Sequence, residues 1–214
     1  MKKVMILFMV LAICGITRAE LLSGNRGFEY GDMTDWLQWA SGSYWGWQSW
    51  YDTTTVINDG TAYEGDYYVE LTQSAGWWGY NIIWQGESTI IPADPLETYT
   101  LSAYARSTDP CDTQAGLKME SLWYTPDPCD PCAMIEHKVG TEVMVDITTD
   151  WTLISMVYTP DPLAAELRAC VLDKDGYTGG TFVTHFDAVS LVPEPMTIAL
   201  FGLGSAFVLR RRKA

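Results

Sequence analysis

Short segments in which apolar and polar residues alternate constrain the fold of this chain more than any other feature. In Tyr99–Arg106 every second residue is apolar, so one face of an extended strand would collect Tyr99, Leu101, Ala103 and Ala105. Six further segments read as short strands: Tyr67–Thr72, Gly79–Gln85, Leu117–Tyr124, Trp151–Tyr158, Glu166–Leu172 and Thr181–Leu191. No sustained helical period occurs between Glu20 and Leu191. Seven or more strands without helices predict an all-β fold, an antiparallel β-sandwich.

The N-terminus predicts export. Lys2 and Lys3 precede the apolar run Val4–Ile16, and small residues stand at the positions before a cleavage point after Ala19. This order is that of a secretory signal peptide over residues 1–19, whereas the alternative is a short buried helix. The predicted sandwich then occupies residues 20–191.

The C-terminus, residues 192–214, reads as a second targeting signal. Pro193, Glu194 and Pro195 are followed by the apolar segment Met196–Leu209 and by a basic cluster, Arg210, Arg211, Arg212 and Lys213. Fourteen residues of helix span about 21 Å, less than the roughly 30 Å of a hydrocarbon core. The basic cluster would remain cytoplasmic and leave the body outside the inner membrane. A short transmembrane helix of this kind favours a processed sorting signal over a permanent anchor.

The tripeptide, the short apolar helix and the arginine cluster resemble the PEP-CTERM sorting tail of bacterial exported proteins. The resemblance covers Val192–Ala214 and implies recognition by an exosortase, which cleaves near the tripeptide. It also implies delivery to the cell surface or to an exopolysaccharide matrix. The alternative is an ordinary tail anchor after a proline-rich linker.

Charge is distributed unevenly along the chain. Of 13 basic and 27 acidic residues, six basic and 26 acidic ones lie between Glu20 and Val192, which gives this body a net charge of −20. Nucleic-acid binding is disfavoured because phosphates require clustered lysine and arginine.

Four short motifs of the body resemble the jelly-roll carbohydrate-binding modules with a galactose-binding-like fold: Gly24–Glu29, Glu97–Ala105, Asp150–Thr152 and Phe186–Leu191. The resemblance implies a structural calcium site to which Glu29 and Asp187 contribute carboxylates. Calcium takes six to eight oxygen ligands, so Asp66 or Glu64 is a candidate third side chain, with backbone carbonyls. The alternative is that these are ordinary surface acids.

Two aromatic clusters are candidate ligand-binding residues. Trp45 and Trp47 flank Gly46, and Trp77 and Trp78 are adjacent, so one member of each pair is expected to face outward or to lie in a loop. Aromatic faces stack on the C–H faces of sugar rings, which predicts a polysaccharide-binding platform. For the remaining tryptophans considered we expect a place in the core: Trp36, Trp39, Trp84, Trp123 and Trp151.

Four cysteines remain after removal of the signal peptide: Cys111, Cys129, Cys132 and Cys170. An even number in an exported chain suggests two disulfides, with three possible pairings. A hairpin of Tyr99–Arg106 with Leu117–Tyr124 would disfavour bonds from Cys111 to Cys129 or Cys132, and we favour Cys129–Cys132. The alternative is a zinc site in which Cys129 and Cys132 are joined by His137 or by another cysteine.

Enzyme signatures are largely lacking. The chain has two histidines and no nucleophile elbow, P-loop or dinucleotide fingerprint. His185 is expected to be a surface residue of its strand. We therefore expect a non-enzymatic exported protein that binds extracellular polysaccharide. A non-binding matrix component and a small glycan-acting hydrolase are the alternatives.

Overall fold

The computed structural model describes residues 20–22, 24–40, 53–73, 80–85, 90–108, 113–130, 133–175 and 182–194. These residues contain eleven β-strands: β1 (Trp36–Ala40), β2 (Thr53–Ile57), β3 (Tyr68–Gln73), β4 (Tyr80–Gln85), β5 (Ile91–Pro92), β6 (Tyr99–Ser107), β7 (Thr113–Pro126), β8 (Met134–Asp146), β9 (Thr152–Tyr158), β10 (Glu166–Asp175) and β11 (Phe182–Pro193). The described part contains no helix. The predicted all-β class is confirmed, and each of the seven predicted strands overlaps a strand of the structure.

The strands form two antiparallel sheets. The six-stranded sheet has the order β1-β4-β10-β7-β8, with β5 paired to β10, and the five-stranded sheet has the order β2-β3-β11-β6-β9. Every described pairing is antiparallel. A β-bulge interrupts the β11–β6 pairing between Asp187 and Ser190.

The core lies between the two sheets because each contributes one apolar face. In β6 the residues Tyr99, Leu101, Ala103 and Ala105 are buried, as their alternation predicts. From the six-stranded sheet, Ile83, Leu117, Met119 and Val171 are fully buried in the same cluster. Every described member of this cluster lies between Leu22 and Leu191, within the sandwich predicted from the sequence.

The expected hairpin of Tyr99–Arg106 with Leu117–Tyr124 is wrong. β6 pairs with β9 and β11 in one sheet, whereas β7 pairs with β8 and β10 in the other. The two strands pack across the core because each has an apolar face to bury.

The predicted signal peptide and the apolar part of the predicted sorting tail, with Pro195 and Arg210–Arg212, lie outside the described residues. Where the structure describes the chain, it has no helix with the length and apolar character needed to cross a membrane. β11 extends through Pro193, two residues beyond the predicted end of the sandwich.

Candidate functional site

The outer face of the six-stranded sheet carries an aromatic and charged cluster. Because side chains alternate along each strand, the residues next to the core positions of β4, β7 and β10 point away from the five-stranded sheet. We call this cluster the Trp84 face and define it by Leu37, Trp84, Lys118, Glu120, Arg168 and Cys170. The strand register aligns four of them in one row across the sheet: Leu37, Trp84, Cys170 and Lys118.

A buried carboxylate lies at the centre of the Trp84 face. Glu120 is 6% exposed and accepts hydrogen bonds from Lys118 Nζ at 2.7 Å and Arg168 Nη1 at 3.4 Å. The Arg168 guanidinium also lies 5.6 Å from the ring centroid of the half-buried Trp84. Burial opposes the charge of Lys118, but its hydrogen bond to Glu120 and the charges of Glu120 and Glu142 leave its pKa above the usual value.

Gly140 in β8 makes room for this carboxylate. A Cβ at Gly140 would lie 2.9 Å from Glu120 Cγ and 2.9 Å from the Met119 carbonyl oxygen. The glycine therefore allows Glu120 to lie flat over β8, where both cations reach it.

The outer face of this sheet is far less acidic than the rest of the body. Its outward strand positions carry four basic residues, Lys118, Lys138, Arg168 and Lys174, and five acidic ones, Glu120, Glu136, Glu142, Asp146 and Glu166. The rest of Glu20–Val192 has two basic and 21 acidic residues. An anionic polymer would therefore meet the least repulsion on this face.

The aromatic residues predicted to bind ligand, Trp45, Trp47, Trp77 and Trp78, lie outside the described residues. Their segments continue from Ala40 at the end of β1 and lead into Tyr80 at the start of β4. Ala40 pairs with Asn81, so both segments are attached at the same end of the six-stranded sheet.

The core assignment of the other tryptophans is only partly right. Trp36 is 4% exposed, packs against Phe28 and donates from its indole nitrogen to the Asn25 carbonyl at 2.8 Å. Trp84 faces outward because its neighbour Ile83 takes the core position. Trp123 stacks on His137, and Trp151 packs on the outer side of the five-stranded sheet. The side chain of Trp39 is not described.

Glu29 and Asp187 converge on the turn between β2 and β3. Asp187 Oδ2 accepts from the amides of Tyr63 at 2.8 Å and Glu64 at 2.9 Å, and the Glu29 carboxylate accepts from the Asp66 amide at 3.0 Å. Both carboxylates lie within 3.8 Å of the position that a Cβ on Gly27 would occupy. The structure thus places two of the three predicted metal ligands together.

The predicted third ligand does not complete this site. Asp66 contributes only its backbone amide, and the described residues hold no group of three His, Cys, Asp or Glu side chains arranged for a metal. Glu64 likewise contributes its amide to Asp187.

The environment of Asp187 disfavours an uncompensated negative charge. Burial, reinforced by the nearby Glu29 charge and opposed by three backbone amides, raises the pKa of Asp187 to about 6. Within the described residues neither Glu29 nor Asp187 forms an ion pair. Left-handed backbone conformations occur next to both carboxylates, at Phe28 (φ 62°) and Ala188 (φ 49°).

The structure describes two of the four cysteines for which two disulfides were predicted. Cys129 is exposed, Cys170 is buried, and no disulfide joins them. Cys170 pairs with Lys118 in the sheet, and Cys129 lies beyond Pro126 at the far end of β7, about 26 Å along the strand, so a Cys129–Cys170 bond is too long to form. Cys111 and Cys132 lie outside the described residues, so a Cys129–Cys132 bond stays a prediction. His137, the other candidate zinc ligand, instead stacks on Trp123 and hydrogen-bonds Thr125 at 2.7 Å.

The prediction that His185 is a surface residue is wrong. His185 is 3% exposed, and its Nδ1 accepts from Arg106 Nε at 3.0 Å while Nε2 lies 3.0 Å from Glu70 Oε2. Burial lowers the pKa of His185, so the neutral form donates from Nε2 to Glu70. Arg106 also stacks 4.5 Å from the ring centroid of Trp151. The loop of residues 58–67 covers this cluster, with Thr61 hydrogen-bonded to Arg106 and Trp151. The alternation of polar and apolar residues along a strand does not predict a contact between a strand and a loop.

The first two residues of the sorting tripeptide are attached to the sandwich. Pro193 pairs with Tyr99 at the end of β11, the Glu194 amide donates to the Thr98 carbonyl at 2.6 Å, and the Thr100 hydroxyl donates to the Glu194 carboxylate. The tail therefore begins at the last strand itself.

A family model described as the PEP-CTERM protein-sorting motif matches residues 191–213. The sequence-based identification of this tail is confirmed, and the tail indicates an exported protein that is processed at the membrane. No curated protein sequence gives a significant match to this chain.

The sandwich resembles solved carbohydrate-binding modules. TmCBM61, solved in complex with β-1,4-galactotriose, is 14% identical with a TM-score of 0.51, and the match covers 81% of this chain and 98% of that one. A family 16 carbohydrate-binding module is 20% identical with a TM-score of 0.53, covering 80% and 99%. The CBM22-1–GH10 modules of Clostridium thermocellum xylanase Xyn10B are 15% identical with a TM-score of 0.55, covering 83% of this chain but 29% of that chain. At these identities the likeness concerns the fold: the chain joins a PEP-CTERM protein-sorting motif to a β-sandwich built like those of carbohydrate-binding modules.

Proposed function

We propose that this exported sandwich binds an extracellular polysaccharide on the Trp84 face and has no catalytic role. The observation that carries the proposal is the half-buried Trp84 beside Arg168 and the buried Glu120, on the least acidic face of the body. A fold likeness to carbohydrate-binding modules supports it. In the same proposal the sandwich is a jelly roll of the galactose-binding-like type.

The side chains of this face suit a sugar polymer. An indole offers an apolar surface for the C–H face of a sugar ring, while arginine, lysine and carboxylate groups exchange hydrogen bonds with hydroxyls. Because Lys118 and Arg168 hold Glu120 from two sides, these groups are already positioned before a ligand arrives. Five strands about 4.8 Å apart give a surface roughly 19 Å wide, enough for several sugar rings.

Trp45, Trp47, Trp77 and Trp78 extend this proposal. Their segments are attached at the end of the six-stranded sheet where Ala40 and Asn81 pair. We assign them the role of additional stacking residues for the same polymer.

The tail fixes where binding would take place. An exosortase-type enzyme would process the segment after Pro193, and the mature sandwich would then lie at the cell surface or in an exopolysaccharide matrix. There the protein would attach matrix polymer to the cell or to other proteins.

We further propose that a structural calcium ion lies between Glu29 and Asp187. The two converging carboxylates, the raised pKa of Asp187 and the absence of an ion pair to either among the described residues support a cation here. Backbone carbonyls would supply the remaining oxygens that calcium requires. The ion would supply charge neutralisation, and the residues of this chain would tie β11 to the turn before β3.

Affinity electrophoresis in gels that contain neutral or uronate polysaccharides tests the binding site. We expect Trp84→Ala and the double variant Trp77→Ala/Trp78→Ala to weaken binding about five- to thirtyfold, because each removes a stacking surface worth about 1–2 kcal/mol. Trp151→Ala is the matched control, since it removes the same side chain from the opposite sheet. Thermal melts must show that each variant folds.

The outcomes separate the three functions considered. If no polysaccharide in the gels slows the migration of the folded wild-type protein, the proposal is overturned in favour of a non-binding matrix role. Equal loss in the Trp84 and Trp151 variants would overturn the assignment to the Trp84 face. Release of reducing ends from a bound polymer would identify a hydrolase.

A further inference from the structure

β8 forms an open edge of the six-stranded sheet. It pairs with β7 through 13 consecutive residue pairs without a bulge. Among the described residues, no backbone hydrogen bond or ladder joins β8 to any other strand. Natural sheets usually protect such edges with short strands, bulges, prolines or charged side chains. Met134–Asp146 is long and has neither a bulge nor a proline, so its backbone offers a regular template for one more strand. Its exposed charged residues, Glu136, Lys138, Glu142 and Asp146, restrict the partner to a strand that places no like charges across from them.

Three exposed side chains of β8 are large and apolar. Met134 is 58% exposed, Ile135 38% and Val139 50%, and β-branched residues recur on the side of Ile135 and Val139. An added strand would cover apolar surface on this edge and satisfy its backbone donors and acceptors.

We propose that the partner of this edge is β8 of a second copy, paired antiparallel about Gly140. A two-fold axis perpendicular to the sheet places residues opposite each other when their numbers add to 280. Gly140 is the midpoint of Met134–Asp146, so this register overlaps all 13 residues of both strands. It is an isologous interface that closes as a dimer.

Charge selects this register over its neighbours. With Gly140 on the axis, Lys138 of each copy lies opposite Glu142 of the other, and no like charges are directly opposed. The four two-fold registers centred one or two residues away each oppose like charges: Lys138 with Lys138, Glu136 with Glu142, Glu136 with Asp146, or Glu142 with Glu142.

The opposite side of the strand is also complementary. Ile135 lies opposite Val145 and Val139 opposite Thr141, which are favourable pairs of β-branched residues. The Val139 carbonyl already accepts from the Tyr158 hydroxyl at 3.2 Å, but a carbonyl oxygen has two lone pairs and accepts a second donor.

The dimer would join the two six-stranded sheets edge to edge. Because the axis is perpendicular to the sheet, both Trp84 faces point in the same direction. This consequence rests on the proposed function, since two co-facing sites would hold one polymer with higher avidity than one site. The dimer itself does not depend on glycan binding.

Sedimentation velocity of residues 20–194 over a concentration series tests the dimer, in about 0.15 M salt, where the Debye length is about 8 Å. We expect a reversible dimer. Lys138→Glu alone, or Glu142→Lys alone, turns both attractive pairs into repulsive ones and should weaken the dimer at least about tenfold. The double variant Lys138→Glu/Glu142→Lys restores the pairs and should restore the dimer.

Matched controls are Arg26→Glu and Asp150→Lys, which make the same charge changes at exposed positions outside β8. A wild-type protein that stays monomeric at all concentrations would overturn the proposal. So would a dimer that both single variants leave intact. Failure of the double variant to recover would overturn the register. Because no glycan is present, none of these results bears on polysaccharide binding.

Discussion

Arg106 connects four side chains on the outer side of the five-stranded sheet. It donates to His185 Nδ1 and to the Thr61 hydroxyl, and its guanidinium stacks on Tyr68 and Trp151. We expect Arg106→Ala to lower the free energy of unfolding by about 3 kcal/mol, because charged hydrogen bonds and cation–π contacts are lost together. Urea denaturation measures this value.

Arg26→Ala is the control for this prediction. Arg26 is exposed and forms one ion pair with Glu20 at 3.0 Å, which is worth at most about 1 kcal/mol. Equal losses in the two variants would contradict the central role of Arg106 in holding the 58–67 loop.

The ion pair between Lys118 and Glu120 predicts that the stability of the fold depends on pH in the alkaline range. Its pKa in the folded state is raised by its hydrogen bond to Glu120 and by neighbouring acidic charges, against the effect of burial. A raised pKa gives stability that is fully present below the unfolded value of about 10.4 and is lost as pH rises through the folded value. The unfolding free energy of wild type minus that of Lys118→Met should therefore be constant between about pH 7 and 9, where the Glu120 carboxylate is charged, and fall above about pH 10. A flat difference to the end of the alkaline range would contradict the Lys118–Glu120 pairing.

Site residues could be predicted from the sequence when a family motif contained them, but the direction in which a side chain points could not. The resemblance of two short motifs predicted the positions of Glu29 and Asp187, and the structure brings them together. The outward position of Trp84 could not be read from its strand, because Ile82, Ile83 and Trp84 are consecutive large apolar residues. Pairing with β1 and β10 decides which face is covered.

At the scale of elements, the contact between Glu29 and the turn that joins β2 to β3 depends on Gly65. Gly65 has φ +70°, and a Cβ there would lie within 2.5 Å of the Glu29 carboxylate. Gly65→Ala should therefore cost the left-handed backbone penalty of about 1–2 kcal/mol plus about 1–3 kcal/mol for displacing Glu29.

Gly60 provides a matched control in the same loop. It has a similar φ of +77°, but a Cβ there has nothing within 4 Å, so Gly60→Ala should cost only the backbone penalty. Thermal melts of the two variants isolate the Glu29 contact. Equal destabilisation would show that Glu29 does not depend on the space above Gly65.

Strand prediction succeeded where one face was apolar, as in β6 and in the edge strand β9, and it failed for β8 and for the shortest strands. β6 is central and alternates strictly, so its limits were predicted within one residue. β8 was missed because this edge strand is exposed over most of its length and carries Glu136, Lys138 and Gly140 among its β-branched residues. β1 and β2 are five-residue strands and β5 has two residues, too short for a period to appear.

At the scale of the whole molecule, the two ends of the sandwich meet. The Leu21 amide donates to the Leu191 carbonyl at 2.9 Å, and the Glu20 carboxylate accepts from the Leu191 amide and the Ser190 hydroxyl. The predicted cleavage after Ala19 would leave Glu20 as the first residue, so both processing events would occur next to this junction. The sequence could not predict this pairing, because contacts across 170 residues leave no local pattern.

The proposed calcium ion would stabilise the whole sandwich, because Glu29 and Asp187 belong to opposite ends of the chain. Free calcium at about 100 times its dissociation constant would add about 2.7 kcal/mol, which corresponds to a Tm increase of roughly 5–10 °C. Scanning calorimetry of residues 20–194 with calcium and with chelator measures this increase in Tm.

Glu29→Gln should lose most of the increase in Tm, whereas Asp150→Asn, a change at an exposed acid outside the site, should keep it. Magnesium at equal concentration is the second control, since any divalent cation screens a body of net charge −20. An equal Tm increase with magnesium, or an unchanged Tm with calcium, would refute the site.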